Sequence, residues 1–223
     1  MPRTQESGVF LMKILNLYAG IGGNRKLWGD DHQITAIEYN QEIADIYKDY
    51  FPNDTVIVAD AHQYLAKHWR DFDFIWSSPP CQSHSKVRMM ASKGGSYDAI
   101  MPDMTLWAEI IFLQNFTKNT NIGFAVENVN PYYEPFIKPT VKLGRHLIWS
   151  NFDIPENIIK DGLKHNERGS SDKGYFDLRP FKMKHRKDQI IRNCADPELG
   201  QYILNTVQGI IRKENIEQTE LEF

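Results

Sequence analysis

The 223-residue sequence is 41% apolar and 25% charged, which supports one cored domain with a small appendage and excludes a chain disordered throughout. A net charge of −3 excludes a uniformly basic nucleic-acid coat protein, and two cysteines, Cys81 and Cys194, exclude a disulfide framework. No apolar run approaches the eighteen or so residues of a membrane span, and Met1–Leu11 lacks the apolar stretch of a secretory signal, so a cytoplasmic protein with no membrane contact is expected.

In chain order, residues 1–12 read as a disordered leader and the patterned sequence begins at Lys13. Lys13–Tyr18 reads as a buried strand, followed by the turn Ala19–Gly23 and a short helix through Trp28. Ile34–Glu38 is a second strand and Gln41–Tyr50 a helix; Thr55–Ala59 is a third strand, followed by a helix over His62–Arg70. Asp73–Trp76 is a fourth strand, Thr105–Thr117 a helix and Ile122–Val126 a fifth strand. Strands alternating with helices of this length predict an α/β fold, a Rossmann-like, mostly parallel sheet with helices on both faces.

The strand ends carry the chemistry. Strand one runs into AGIGG, strand two into Glu38, strand three into Asp60, strand four into SSPPC and strand five into Glu127-Asn128. In an open parallel sheet these carboxyl ends share the edge where ligands bind. Glycines at 20, 22 and 23 permit a tight turn and a close ligand approach, and Glu38 stands eighteen residues beyond Gly20, near the spacing of an acid that grips ribose hydroxyls. Taken alone, these features are equally an ordinary tight turn and a surface acid. Arg25 replaces the third glycine of the dinucleotide fingerprint, which argues against a nicotinamide enzyme, and Asp60 offers a second acid for an adenine amino group.

Pro79 and Pro80 stiffen the turn that presents Cys81. A free cysteine is most often a small core residue, but polar, turn-forming flanks favour a nucleophile here. An ordinary thiol is only slightly ionised at neutral pH, so a nucleophile needs positive neighbours; Lys86, Arg88, His84 and Arg145 are candidates. No second ligand pair has metal spacing, so no metal is expected. Glu127 at the end of strand five is either a cap or an acid facing Cys81.

With these residues in place, the chain resembles the DNA cytosine-5 methyltransferases. Asn16–Gly23, including Tyr18, Ala19, Gly20, Ile21, Gly22 and Gly23, resembles their first motif, which holds the methionine part of S-adenosylmethionine. Glu38-Tyr39 resembles the ribose acid and the aromatic on the adenine, and Asp60-Ala61 the adenine-contacting acid. Pro79, Leu106 and Asn193 are further cofactor contacts implied by the resemblance; Leu106 belongs to a helix motif with Thr105, Trp107 and Glu109, and Asn193 to a late motif over Arg192–Pro197. Pro80-Cys81-Gln82 with Ser85 resembles the nucleophile motif and Glu127-Asn128-Val129 the base-binding motif. Arg145 is matched loosely to an arginine at the base carbonyl, because the usual Gln-x-Arg-x-Arg pattern is absent. Arg192 stands where the family has glycine. The resemblance implies a class I methyltransferase fold in which Cys81, Glu127 and Arg145 methylate a flipped cytosine at carbon 5, as in restriction–modification or phage self-protection.

The implied layout is a catalytic domain over 13–150, a basic DNA-recognition region over 151–188, a returning segment over 189–212 and an acidic tail over 213–223. Residues 157–192 hold ten Lys/Arg against five Asp/Glu, leaving −8 on the rest of the chain. Lys160, Lys164, Arg168, Lys173, Arg179, Lys182, Lys184, Arg186 and Lys187 suit phosphate contacts, which position without reading sequence, so a short target sequence is expected. Asn166–Gly174 reads as a flexible loop, and Gln82–Ala99, with Lys86 and Arg88, as a mobile loop that closes over DNA. The expected partner is double-stranded DNA and the expected state a monomer. Three rivals remain: a cytosine N4 amino-methyltransferase, an idle DNA-binding protein on the same fold, and a cysteine redox enzyme, which the absence of a CxxC disfavours.

Overall fold

The computed structural model describes residues 11–156 and 175–210. The expected leader, the loop Asn166–Gly174, the cations Lys160, Lys164, Arg168 and Lys173, and the acidic tail lie outside the described residues or nearly so. Seven strands form one sheet: β1 (Lys13–Leu17), β2 (Gln33–Glu38), β3 (Thr55–Val58), β4 (Phe74–Ser77), β5 (Gly123–Val129), β6 (Val141–Leu143) and β7 (His146–Ser150). Their order is β3-β2-β1-β4-β5-β7-β6. The pairs among β1 to β5 are parallel, and the β5–β7 and β6–β7 pairs are antiparallel. The chain order reverses between β1 and β4, so a crevice opens there at the carboxyl ends of the strands.

The helices are α1 (Gln41–Tyr50), α2 (Ala61–His68), α3 (Lys86–Lys93), α4 (Thr105–Phe116), α5 (Lys187–Asn193) and α6 (Pro197–Val207). The central strands β1, β4 and β5 are buried on both faces. Leu15, Leu17, Ile75, Phe124 and Val126 pack with Leu65 of α2 and Leu106, Ile110 and Leu113 of α4. Ile14, Phe74, Trp76 and Ala125 point the other way, against Trp28 and Leu199, Ile203 and Leu204 of α6. Adjacent residues thus serve opposite cores, which is why the strands read as continuous apolar runs rather than alternating ones.

α6 presses on the short 3-10 turn Asn24–Leu27. A β-carbon at Gly200 would lie 2.1 Å from the Asn24 carbonyl oxygen, so only glycine admits this approach. Arg25, in the same turn, is fully enclosed. Its Nε and Nη2 donate to both oxygens of Asp54 at 2.9 and 3.2 Å, and Tyr47 Oη donates to the same carboxylate at 2.8 Å. The residue that spoils the dinucleotide fingerprint is therefore a structural clamp between the first turn and the loop before β3.

Two stretches differ from expectation. Gln82–Ala99, read as a loop, contains α3: Ser85 Oγ accepts from Arg88 N–H at its start, and Gly94 and Gly95 end it. Its sequence looked loop-like because the helix buries no side chain. The antiparallel pair β6–β7 was not expected, because three- and five-residue strands leave little periodicity. Within the stretch read as DNA-recognising, Phe176, Leu178 and Phe181 pack with Ile46 and Tyr50 of α1, and Tyr50 Oη both accepts from Asp177 N–H and donates to its carbonyl. Arg179 pairs with Asp177 and Arg186 with Asp188, both on the surface.

Candidate active site

The carboxyl ends of the strands open into one cavity of about 970 Å³. Its lining joins Tyr18, Ala19 and Gly20 after β1, Glu38 and Tyr39 after β2, Asp60 and Ala61 after β3, Pro79, Pro80, Cys81 and Gln82 after β4, and Glu127 and Asn128 at the end of β5. Ser85, Arg145, Arg192 and Asn193 line it as well. Ile21, Gly22, Gly23, Leu106, Lys86 and Arg88 do not. Ile21 and Leu106 are core residues. A β-carbon at Gly22 would meet the Phe51 ring at 2.3 Å, and one at Gly23 the Ala195 carbonyl oxygen at 2.4 Å. Those two glycines are required by packing against α1 and the late segment, where the sequence suggested a ligand. Lys86 opens α3, and the Arg88 guanidinium sits 4.5 Å above the Tyr97 ring.

The half of the cavity built by β1 to β3 is well satisfied. Gly20 has φ +56°, and a β-carbon there would meet nothing within 4 Å, so its backbone borders open space. Glu38 Oε2 accepts from Gly20 N–H at 3.0 Å and Oε1 from Asn40 N–H at 2.9 Å. Each oxygen keeps a lone pair for a further hydroxyl. Asp60 caps α2 through Oδ1 on Gln63 N–H at 2.8 Å. Tyr39 is 78% exposed at the rim, a face suited to stacking. An open glycine backbone, a fixed acid, a second acid and a bare aromatic ring fit a nucleoside with an amino acid tail.

Behind this half lies a residue that the sequence placed only in a weak helix motif. Glu109 of α4 is completely buried. Tyr18 Oη donates to its Oε1 at 2.5 Å, Ser77 Oγ to its Oε2 at 2.7 Å, and His62 Nδ1 lies 3.1 Å from Oε1. Burial holds its carboxyl above the usual range, while the three partners pull the other way. Tyr18 is held with φ +54°, a left-handed conformation costing about 1–2 kcal/mol for a side-chain-bearing residue. The Glu109 tie fixes it there. A lone acid in the otherwise apolar run TLWAEIIF was the available signal.

The half built by β4, β5 and β7 is less settled. Asn128 Nδ2 donates to the Pro79 carbonyl at 2.9 Å and its Oδ1 accepts from Val129 N–H at 2.9 Å, so this side chain ties β5 to the turn that carries Cys81. His84 N–H closes that turn on the Cys81 carbonyl at 3.0 Å. The buried His84 ring has Nδ1 2.5 Å from Tyr133 Oη, and burial lowers its pKa. Burial and the Glu127 carboxylate raise the Cys81 thiol above its ordinary value; Arg145 opposes this. Arg145 is thus the expected cation whose field reaches the sulfur. His146, which the sequence reading passed over, also lines the cavity, with Nε2 3.5 Å from Glu127 Oε1. Arg192 pairs with Asp188 across one helical turn.

Among the described residues no cluster of His, Cys, Asp and Glu could hold a metal ion, and no helix is long and apolar enough to cross a membrane.

Comparison with known proteins bears on this cavity. The family model of C-5 cytosine-specific DNA methylases matches residues 12–134, more than half of the chain. A tRNA (cytosine(38)-C(5))-methyltransferase of Spodoptera frugiperda is 33% identical over 81 residues, covering 33% of this chain and 24% of that protein. The chain thus spans about a quarter of the length of the curated relative it matches. The crystal structure of a mutant of DNMT2 from the same insect overlays 56% of this chain and 37% of its own, with 26% identity and a TM-score of 0.39. A putative DNA modification methyltransferase encoded within a prophage of E. coli overlays 55% and 34%, with 20% identity and a TM-score of 0.36. The overlays are partial; the match over 12–134 decides the family. This chain belongs to the C-5 cytosine-specific DNA methylase family.

Proposed function

We propose that this chain methylates carbon 5 of a flipped cytosine in double-stranded DNA, with Cys81 as covalent nucleophile and S-adenosylmethionine as methyl donor. One observation carries the reading: Cys81 and Glu127 line the same cavity as Gly20, Glu38 and Asp60. When bound, S-adenosylmethionine supplies an electrophilic methyl group on a sulfonium, which C5 takes up. Tyr18, Ala19, Gly20 and Asn193 would hold its methionine part, Glu38 the ribose hydroxyls, Tyr39 a face of the adenine, and Asp60 with Ala61 the adenine edge, with Pro79 alongside.

The base must leave the helix stack, at a cost of a few kcal/mol that cavity contacts offset. The Cys81 thiolate adds to C6, and the electron pair of the C5–C6 double bond moves into the ring. Glu127 holds N3 and the exocyclic amine and stabilises that charge. Arg145 favours the thiolate electrostatically. After the methyl group reaches C5, a solvent base takes the C5 proton, the C5–H electron pair re-forms the C5–C6 double bond, and the sulfur–C6 pair returns to sulfur as the thiolate.

The test is transfer of labelled methyl groups from S-adenosylmethionine to duplex DNA, single-stranded DNA and tRNA, with the product nucleosides identified by mass spectrometry. 5-Methylcytosine in duplex DNA is expected. Product confined to tRNA, as the name of the insect relative suggests for that protein, would overturn the DNA assignment. N4-methylcytosine would overturn the covalent route.

A further inference from the structure

The base-facing end of the cavity holds a titratable group that the covalent route above leaves unused. β5 and β7 run antiparallel with Val129 opposite His146 and Glu127 opposite Ile148. Glu127 and His146 are therefore diagonal neighbours on one face of the sheet. Both are largely buried, at 8% and 4% exposure, with His146 Nε2 3.5 Å from Glu127 Oε1. Arg145 Nε–H points at the same Nε2 from 3.2 Å. Among the described residues, the charged groups that meet this imidazole include Glu127 from β5 and Arg145 from the turn before β7. Cys81, at the end of β4, feels the field of both.

The chemistry asks for a proton at this place. N3 of neutral cytosine is an acceptor, and an ionised carboxylate can only accept, so Glu127 holds N3 only when it carries a proton. An ordinary carboxyl, with a pKa of about 4.3, is ionised at neutral pH, whereas a histidine titrates near 6.5.

We propose that His146 is the proton partner of Glu127 and so a positioning residue for the reaction, a role that rests on the reading of Glu127 as the N3-holding acid. The imidazolium Nε2–H bond breaks, its electron pair stays on Nε2, and the proton goes to Glu127 Oε1. Neutral His146 then offers Nε2 to Arg145 Nε–H, as the structure has it. Protonated Glu127 shares its proton with N3 as the Cys81 sulfur bonds to C6, and it no longer opposes the thiolate. When the sulfur leaves, the proton returns from N3 through Glu127 to His146. No electrons are gained or lost overall.

The test is the rate of covalent capture of a 5-fluorocytosine duplex, with S-adenosylmethionine, as a function of pH. Addition needs the Cys81 thiolate together with protonated His146, and these fractions vary oppositely with pH. For the natural protein the rate therefore rises about tenfold per pH unit in acid, levels off at the His146 ionisation and falls only above the Cys81 ionisation. In His146→Gln the only proton left for N3 is Glu127's own, so the levelling moves to more acid pH, at the Glu127 ionisation, and the rate near pH 6 is lower by about 100-fold. An unchanged profile in His146→Gln overturns the proposal. If that variant does not fold, NMR titration of His146 in the natural protein and in Glu127→Gln decides: loss of the neighbouring anion is expected to lower the His146 pKa, and no change overturns the coupling. Failure of the natural protein to form any adduct, by contrast, sinks the covalent route itself.

Discussion

The two halves of the cavity are finished to different degrees. Around Gly20, the carboxylates of Glu38, Asp60 and Glu109 are already engaged by backbone N–H groups or fixed side chains. Around Cys81 burial and Glu127 push the thiol pKa upward, toward the unreactive form, and the following segment exposes Val87, Met90, Tyr97 and Met101. The first half is preorganised, as suits a ligand bound in every cycle. The second leaves its thiol protonated, which protects it, since a permanently ionised thiol in an open cleft would be exposed to oxidation.

The sharpest way to break this contrast is Cys81→Ser. Methyl transfer should fall by about 1,000-fold or more, while cofactor affinity measured by calorimetry stays within about twofold. A parallel loss of cofactor binding would show that the halves are not separable. Because the thiol is raised, the natural enzyme should be slow in acid and gain rate as the pH rises toward neutrality, as followed by single-turnover kinetics.

Glu109→Ala attacks the preorganised half from behind. It leaves the Tyr18 and Ser77 hydroxyls without their acceptor and should lower unfolding stability in urea by about 2–4 kcal/mol. Cofactor binding should weaken with it. A change below about 0.5 kcal/mol would mean the buried acid ties nothing together. The smallest effect is expected from Glu38→Gln, which removes charge but keeps shape. Cofactor Kd should rise about tenfold with the saturated rate little changed, a difference of about 1.4 kcal/mol. An equal fall in the saturated rate would place Glu38 in the chemistry instead.

Much of this site was legible in the sequence because strand ends in a parallel sheet converge by topology. Once KILNLY, ITAIE, TVIVA, DFIW and IGFAV read as strands, Gly20, Glu38, Asp60, Cys81 and Glu127 had to meet at one edge. The reasons for individual residues were less legible. Gly22 and Gly23 looked like ligand glycines, yet what forbids their side chains is the Phe51 ring and the Ala195 backbone, distant in sequence. Asn128 looked like a base contact and spends its amide on Pro79 and Val129. Glu109 and His146 meet Tyr18 and Glu127, partners many residues away, and no local spacing encodes those contacts. α3 was missed because a helix that buries nothing carries no apolar periodicity to read.

In the covalent route proposed above, the Cys81 sulfur bonds to the target ring. The most direct measurement is mass spectrometry of the protein after incubation with a 5-fluorocytosine duplex and S-adenosylmethionine. The fluorine replaces the proton that must leave, so the predicted result is a denaturation-stable protein–DNA adduct that maps to Cys81 and is absent in Cys81→Ser. Methyl transfer to ordinary cytosine with no adduct on the fluorinated duplex, or an adduct that maps elsewhere, would contradict the account.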